Sequence, residues 1–492
     1  MAISLAGVGN GSLIPNQQQA TLQSNYIDFT DAATDHWAQQ YMPDLVAQEA
    51  EIFGNRTVSG FLSKVGAEES MSADQVIWTE QGRLHLSYKG QLSTVGSVSG
   101  TTSTHSVFTL EHTIDGHAIA TSGVDHGVRV GDTVIIANAA SVTKAYVSNV
   151  TANAVTVASY SHTHVGAAMT GAVTAGTCTL MVYGSEYEKG TDKRGAAVEP
   201  TMKSYDNKPI ILKDQYHVNG SDASQIGWIE VAGEGGQSGY LWYLKAEGDT
   251  RTRFTDYVEM SMLEAEKTVA VSGVNDVFGA TDANAGNHGT EGMFKAIATR
   301  GNVGSGLTTA GAFVLQDFDD ILTRFDEQGA IEEYMMYLDR NLSLAMDDML
   351  ATINSGYSGG TSYGVFDNDK DMALNLGFSG FRRGSYDFYK TDWKYLNDKG
   401  ARGGMIYNDI KGAMIPAGVS SVYDQNLGRN LKRPFLHVRY RASKMENRKL
   451  KTWTTGSVGG NITSALDAME MHYLSERCLV TQGANNFMLL KA

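Results

Sequence analysis

The chain has 492 residues and a mass of 53.1 kDa, with 39 Lys and Arg against 54 Asp and Glu, a net charge of −15. That length allows about three domains and a large core, while 42% hydrophobic and 19% charged residues exclude a disordered chain. The acidic balance excludes a protein whose main work is coating nucleic acid or an anionic membrane, and the two cysteines, Cys178 and Cys478, exclude a disulfide scaffold.

The first 24 residues are rich in Gly, Asn and Gln without usable periodicity and read as an extended arm that a partner would order. From Asp31 the pattern turns helical, with Trp37, Tyr41, Leu45 and Val46 on one stripe and Ile52 and Phe53 beyond. Pro43 splits that run into two short helices. Gln75–Leu86 reads as a strand, and so does Lys208–Val218, which begins at Pro209, a residue tolerated at strand starts and edges.

Between them composition changes. Ser97–Tyr183 holds 15 Thr and 14 Val in 87 residues, six charged residues and no Pro. Val128–Ile136, Val142–Val150 and Ala154–Tyr160 read as strands, with turns at Ala139-Ala140 and Thr151-Ala152-Asn153 and a bend at Gly131-Asp132. The segment is an all-β module inserted into something else.

A long charged helix follows, about Tyr240–Lys267, with Phe254, Tyr257, Val258 and Met262 on its apolar stripe. Val271–Thr309 is loop with one short helix at Met293–Ala298. Helices are expected at Phe318–Glu327 and at Ala330–Asn354, where Ile331, Tyr334, Met335, Leu338, Leu342, Met346, Met349 and Leu350 form an apolar face, with Gly329 and Gly356 as stops. The C-terminal strands include Cys478–Val480 and Asn486–Leu490. The class is α+β, without internal repeats. No apolar run reaches the ~18 residues of a membrane span, and the start, Met1–Gly7, lacks the character of a signal peptide, so a soluble protein made inside a cell is expected.

The chemical motifs fail on inspection. Gly356-Tyr357-Ser358-Gly359-Gly360 spells a nucleophile elbow, but a helix precedes it where a strand is needed, so it reads as a helix stop. Gly233–Gly239 lies between a strand and a helix but lacks the third Gly of a dinucleotide loop and the Gly-Lys of a phosphate loop; a hinge is the better reading. Asp367–Asp371 begins like a calcium loop, but Met372 and Phe378 stand where Gly and Glu are required. Six of the twelve histidines lie in the β module (His105, His112, His117, His126, His162 and His164). His162 and His164 share a strand face, yet no third metal ligand is fixed, and a polar exposed face is the better reading. No catalytic set survives, and neither a cofactor nor a metal is expected.

Arg429–Lys451 carries nine cations (Arg429, Lys432, Arg433, Arg439, Arg441, Lys444, Arg448, Lys449 and Lys451) against one acid, Glu446. A solvated surface run, a nucleic-acid face and a socket for the acidic surface of another copy all fit. Between the last two, self-association is favoured because opposite charge is plentiful on the same molecule.

The order of parts resembles the HK97-like major capsid proteins of tailed bacteriophages, and within them those of crAss-like podoviruses. It runs from a loose arm through two strands suited to one long hairpin to a long charged helix and a mixed domain. The stretch Gln75-Val76-Ile77-Trp78-Thr79-Glu80-Gln81-Gly82-Arg83-Leu84 looks like the outgoing E-loop strand and Gly184–Gly190 like the segment re-entering it. The resemblance implies an N-terminal arm with short helices over 1–55, the outgoing E-loop over 56–96, the inserted β domain over 97–183 and the E-loop return over 184–220. Peripheral and axial domains would fill 221–492, with the spine helix at about 240–267. It implies a coat protein assembling as hexamers and pentamers into an icosahedral head around double-stranded DNA without sequence-specific binding. Portal, scaffolding and decoration proteins would be partners, and the virion the location; no enzyme and no membrane partner are implied. Expected intersubunit contacts are Trp78, Glu80, Arg83, Lys208 and the nine cations above, and shell expansion would bend the spine helix near Gly248. A nanocompartment shell, or a receptor- or carbohydrate-binding phage protein using the β insert, are the competing readings. A hydrolase using Ser358 is a third.

Overall fold

The structure is a computed structural model. It describes residues 58, 60–62, 67–83, 85–96, 105–191, 202–221, 231–232, 238–239, 242–269, 272–277, 288–306, 315–328, 333–356, 380–417, 419–424, 429–458 and 462–492. The expected arm, the helices from Asp31 to Phe53, Ser358 and the Asp367–Asp371 stretch lie outside them, as do Gly233–Gln237 of the Gly-rich hinge. The chain divides into two compact units, one made of Met1–Trp78 with Asp206–Ala492, the other of Thr79–Tyr205.

The second unit is a closed barrel of six antiparallel strands. Around the barrel they run Ser87–Gly96, His105–Thr113, Ala154–Ser159, Val142–Thr151, Asp132–Ala137 and Cys178–Ser185, which returns to Ser87–Gly96. Alternation places Phe108 and Leu110 of one strand, Val134 and Ile136 of another, and Ala145 and Val147 of a third inside. The barrel begins before the composition change: its first strand precedes Ser97, and Tyr88 and Leu92 on it are core residues. Ser87–Gly96 is polar enough to hide among its neighbours, which is why composition alone starts the module too late. Gly90 fits because its backbone meets the next strand closely; a Cβ there would stand 2.0 Å from the Thr109 carbonyl oxygen. The turn at Thr151–Ala154 places Ala152 at φ 44°, and buried His126 holds it by donating from Nε2 to the Ala152 carbonyl at 2.6 Å. Burial pushes the His126 pKa down, so the ring stays neutral and its Nδ1 accepts from the Val128 amide.

The first unit contains two large sheets. In the five-stranded sheet the 14-residue strand Ala468–Thr481 is the axis. Ile210–Asn219 pairs antiparallel along one side of it. The other side is shared by Lys451–Gly456, opposite Met469–Leu474, and Leu436–Arg441, opposite Arg477–Thr481. Ala67–Met71 adds in parallel beyond Leu436–Arg441. The long helix Trp242–Glu264 packs on this sheet: Phe254 and Val258 meet Tyr473, Ala246 meets Tyr216 and Val218, and Met262 and Leu263 enter the largest core.

The second sheet is mixed and six-stranded, in the order Asn302–Gly304, Met488–Lys491, Ile410–Pro416, Glu333–Leu338, Tyr386–Asp392 and Gly380–Arg383. One face carries Tyr334, Met336, Leu338 and Phe388 against Phe318, Ile321 and Phe325 of helix Leu315–Gln328 and Leu342 and Met346 of helix Arg340–Gly356. The opposite face puts Tyr337, Ala413, Ile415 and Leu489 against Met293, Phe294 and Ile297 of helix Met293–Arg300.

Two expectations are corrected. Ala330–Asn354 is a strand, Glu333–Leu338, followed by a helix, Arg340–Gly356. Burial of the strand on both faces removes the alternation that would distinguish it from a helix. The boundary was marked by Asp339, whose Oδ1 accepts the Leu342 amide at 2.7 Å as an N-cap. Among the described residues the expected hairpin of Gln75–Leu86 with Lys208–Val218 is also not formed. Val76–Gln81 pairs with Met202–Asn207, whereas Ile210–Asn219 belongs to the five-stranded sheet. Alternate residues of Ile210–Asn219 face the helix Trp242–Glu264, and that burial outweighs continuation of the two-stranded ladder.

Candidate assembly surface

The expected contact residues fall into three settings. Trp78 is buried within the first unit, 6% exposed, with the Arg300 guanidinium 5.6 Å from its ring centre. Arg300 in turn pairs with Glu291 at 2.6 Å. Trp78 is therefore a packing residue of its own unit. Arg83 pairs with Asp115 of the second unit at 3.1 Å, and Glu80 and Lys208 are half-buried.

Five of the nine cations of the basic run are paired from within their own unit. Arg439 reaches Glu69 at 2.7 Å, Arg441 pairs with Asp74 and lies 3.4 Å from Glu476, and Arg448 meets Glu476 at 2.5 Å. Lys449 pairs with Glu68, and Lys451 reaches Glu446 at 2.7 Å, holding that carboxyl below the usual carboxylate range. Glu476 is buried among strands, so its two arginines compensate a charge that would otherwise be costly. The carboxylates that answer Arg439, Arg441 and Lys449 stand on or just after Ala67–Met71, which the sheet brings beside Leu436–Arg441. Lys444 is exposed at the hairpin tip, where Ser443 donates its amide to Glu446. Arg429, Lys432 and Arg433 lie on strand Arg429–Pro434, opposite Asp424, Ser421 and Ser420.

Gly248 lies on the exposed side of the long helix, which runs through it unbroken. The Thr250 and Thr252 hydroxyls donate back to the Ala246 and Gly248 carbonyls at 2.8 and 3.0 Å, a pattern that favours gentle helix bending.

Two features carry no sequence signal. Buried Asn207 donates to the Leu479 carbonyl at 2.6 Å and the Glu291 carbonyl at 3.1 Å, and accepts from the Glu291 amide and the Thr290 hydroxyl. Glu259, buried on the long helix, accepts the Gly60, Phe61 and Leu62 amides at 2.7, 2.6 and 3.2 Å. Phe61 then stacks on Trp393, ring centres 4.6 Å apart. Burial pushes the Glu259 carboxyl pKa up despite those three donors.

Among the described residues no group of three His, Cys, Asp or Glu could hold a metal. The His164 Nδ1 accepts the Ala167 amide, and the His162 Nδ1 lies 2.8 Å from the Ser161 hydroxyl. Cys478 is buried, its thiol pushed up to about 12 by desolvation, which makes it unreactive. Among the described residues no helix is long and apolar enough to cross a membrane.

No protein-family model matches the chain, and no curated protein matches it. Among solved structures it is similar to the capsid structure of the cyanophage P-SCSP1u, with 10% identity over 92% of this chain and 94% of that one and a TM-score of 0.40. It is also similar to the mature capsid of bacteriophage PhiM1, with 8% identity over 91% and 92% and a TM-score of 0.38. The capsid of the native GTA particle gives 10% identity over 95% and 99% and a TM-score of 0.36.

Proposed function

We propose that this chain is a major capsid protein of HK97-like fold that assembles with copies of itself into an icosahedral phage head enclosing double-stranded DNA. The observation that carries the reading is the set of elements in the first unit and its connection to the second. A two-stranded ladder, Val76–Gln81 with Met202–Asn207, frames the second unit in sequence. A 23-residue helix lies on one sheet, and a separate mixed sheet is flanked by helices. Their order supports reading them as E-loop, spine helix with peripheral sheet, and axial domain.

On this reading the protein works by shape, without an enzymatic step, and resides in the virion. Hexamers and pentamers are its working forms, and portal, scaffolding and decoration proteins its partners. DNA is contained and not gripped, because a chain of net charge −15 repels phosphate. Light scattering and negative-stain microscopy of the purified chain test the proposal. Rings, sheets, tubes or closed shells are expected, and a monomer of 53.1 kDa persisting at high concentration with and without a scaffold would overturn it. Removal of residues 87–185, the whole barrel, is expected to leave assembly in place.

A further inference from the structure

If copies of this chain associate, five of the nine cations of its basic run offer little to hold them. The cations Arg439, Arg441, Arg448, Lys449 and Lys451 already have carboxylate partners within the chain. Two bodies that each carry −15 repel one another at long range. Apolar contact is a means of association that this like charge does not oppose. Among the described residues only one run places three large hydrophobic side chains consecutively in solvent: Met405, Ile406 and Tyr407, with fractional exposures of 59%, 108% and 81%.

The loop carrying them is built to hold that shape. Arg402, at its start, is half-buried, and its guanidinium reaches Glu264 at 2.5 Å, Asn408 at 3.1 Å and Asp409 at 2.9 Å, so one side chain ties both ends of the loop together. Tyr395 shares Glu264 through its hydroxyl at 2.7 Å, and Lys491 holds the other oxygen of Asp409 at 3.1 Å. Gly403 and Gly404 let the backbone pack tightly; a Cβ on Gly404 would stand 1.9 Å from the Lys399 carbonyl oxygen. The charges at the base are thus paired within the chain, and the tip of the loop carries no charge.

We infer that Met405-Ile406-Tyr407 is a rigid apolar knob that seats in a second copy of this chain, one of the contacts that hold the assembly together. The inference rests on the capsid reading above. An uncharged tip is the wrong chemistry for nucleic acid, which is bound through phosphate-neutralising cations. It is suited to a partner that shares the same net charge. A loop fixed before binding loses little conformational freedom on docking, so a small apolar contact contributes more than its area alone implies. The contact joins unlike surfaces, as a closed ring requires.

The test is assembly of Ile406→Asp and Tyr407→Ser chains beside the unaltered protein, by light scattering across a range of salt. A photo-crosslinking residue at position 406 reports the occupant. Both positions are solvent-exposed, and circular dichroism and thermal unfolding check that the variants fold. The expected result is at least a tenfold weakening of association by Ile406→Asp, association of the unaltered chain that salt does not weaken, and crosslinks to a second full-length copy. Variants that assemble like the unaltered chain overturn the knob while leaving the capsid reading intact. Crosslinks to the same chain or to a different protein overturn it equally, and an unaltered chain that never associates overturns both.

Discussion

The barrel draws all six strands from one continuous stretch, Ser87–Ser185, and fills its interior with Val, Leu, Ile and Phe. The five-stranded sheet gathers Ala67–Met71, Ile210–Asn219 and three C-terminal strands, and covers part of itself with ion pairs. Strands close in sequence lose little loop entropy on pairing, so apolar alternation suffices to specify them. Strands hundreds of residues apart need individual recognition. Arg439 opposite Glu69 and Asn207 beneath Leu479 supply it, because a wrong register would strand a charge or a buried amide.

The largest effect expected to separate the two regions is Phe108→Ala. It removes a fully buried ring from the barrel and should cost about 3–5 kcal/mol. Calorimetry should show the barrel transition falling while that of the first unit stays in place; equal shifts of both would merge the two regions into one cooperative body. Asn207→Ala should cost about 2–3 kcal/mol in the first unit, since it leaves buried carbonyl and amide groups without partners. The barrel transition should not respond.

Glu259 sharpens the contrast through pH. Its folded pKa lies above the ordinary carboxylate value, so the protonated form is favoured on folding. Its contribution is therefore complete below about pH 4.3 and is lost as pH rises through the folded pKa. Denaturation of the first unit over that window should show this decline, and Glu259→Gln should remove it; an unchanged slope would reassign the dependence to other groups. The smallest effect is expected for Arg83→Ala. Its pair with Asp115 is exposed on both sides, and the melting of the second unit should change by less than about 1 kcal/mol.

The long helix was legible because its apolar stripe and charged remainder have the right period, and the observed Trp242–Glu264 falls within the expected range. The strands from Asp132 to Ser159 were legible from β-branched runs broken by turns. Glu333–Leu338 was not: a strand buried on both faces offers no alternation to read, and only Asp339 marked where it ends. The basic run illustrates the other limit. Nine cations are plain in the sequence, but Glu68, Glu69 and Asp74 lie more than three hundred residues away and become partners only through the parallel pairing of Ala67–Met71. Charge density was legible; its compensation was a property of topology. Asn207 is one asparagine among many until the fold surrounds it.

The closing pair of the barrel, Cys178–Ser185 against Ser87–Gly96, has a consequence for crowding. An open sheet ends in backbone donors and acceptors that any other strand can join, and the hazard grows with local concentration. Six strands closed on themselves present no such edge. The chain can therefore carry these six strands at high concentration without offering them as a template for fibrous aggregation.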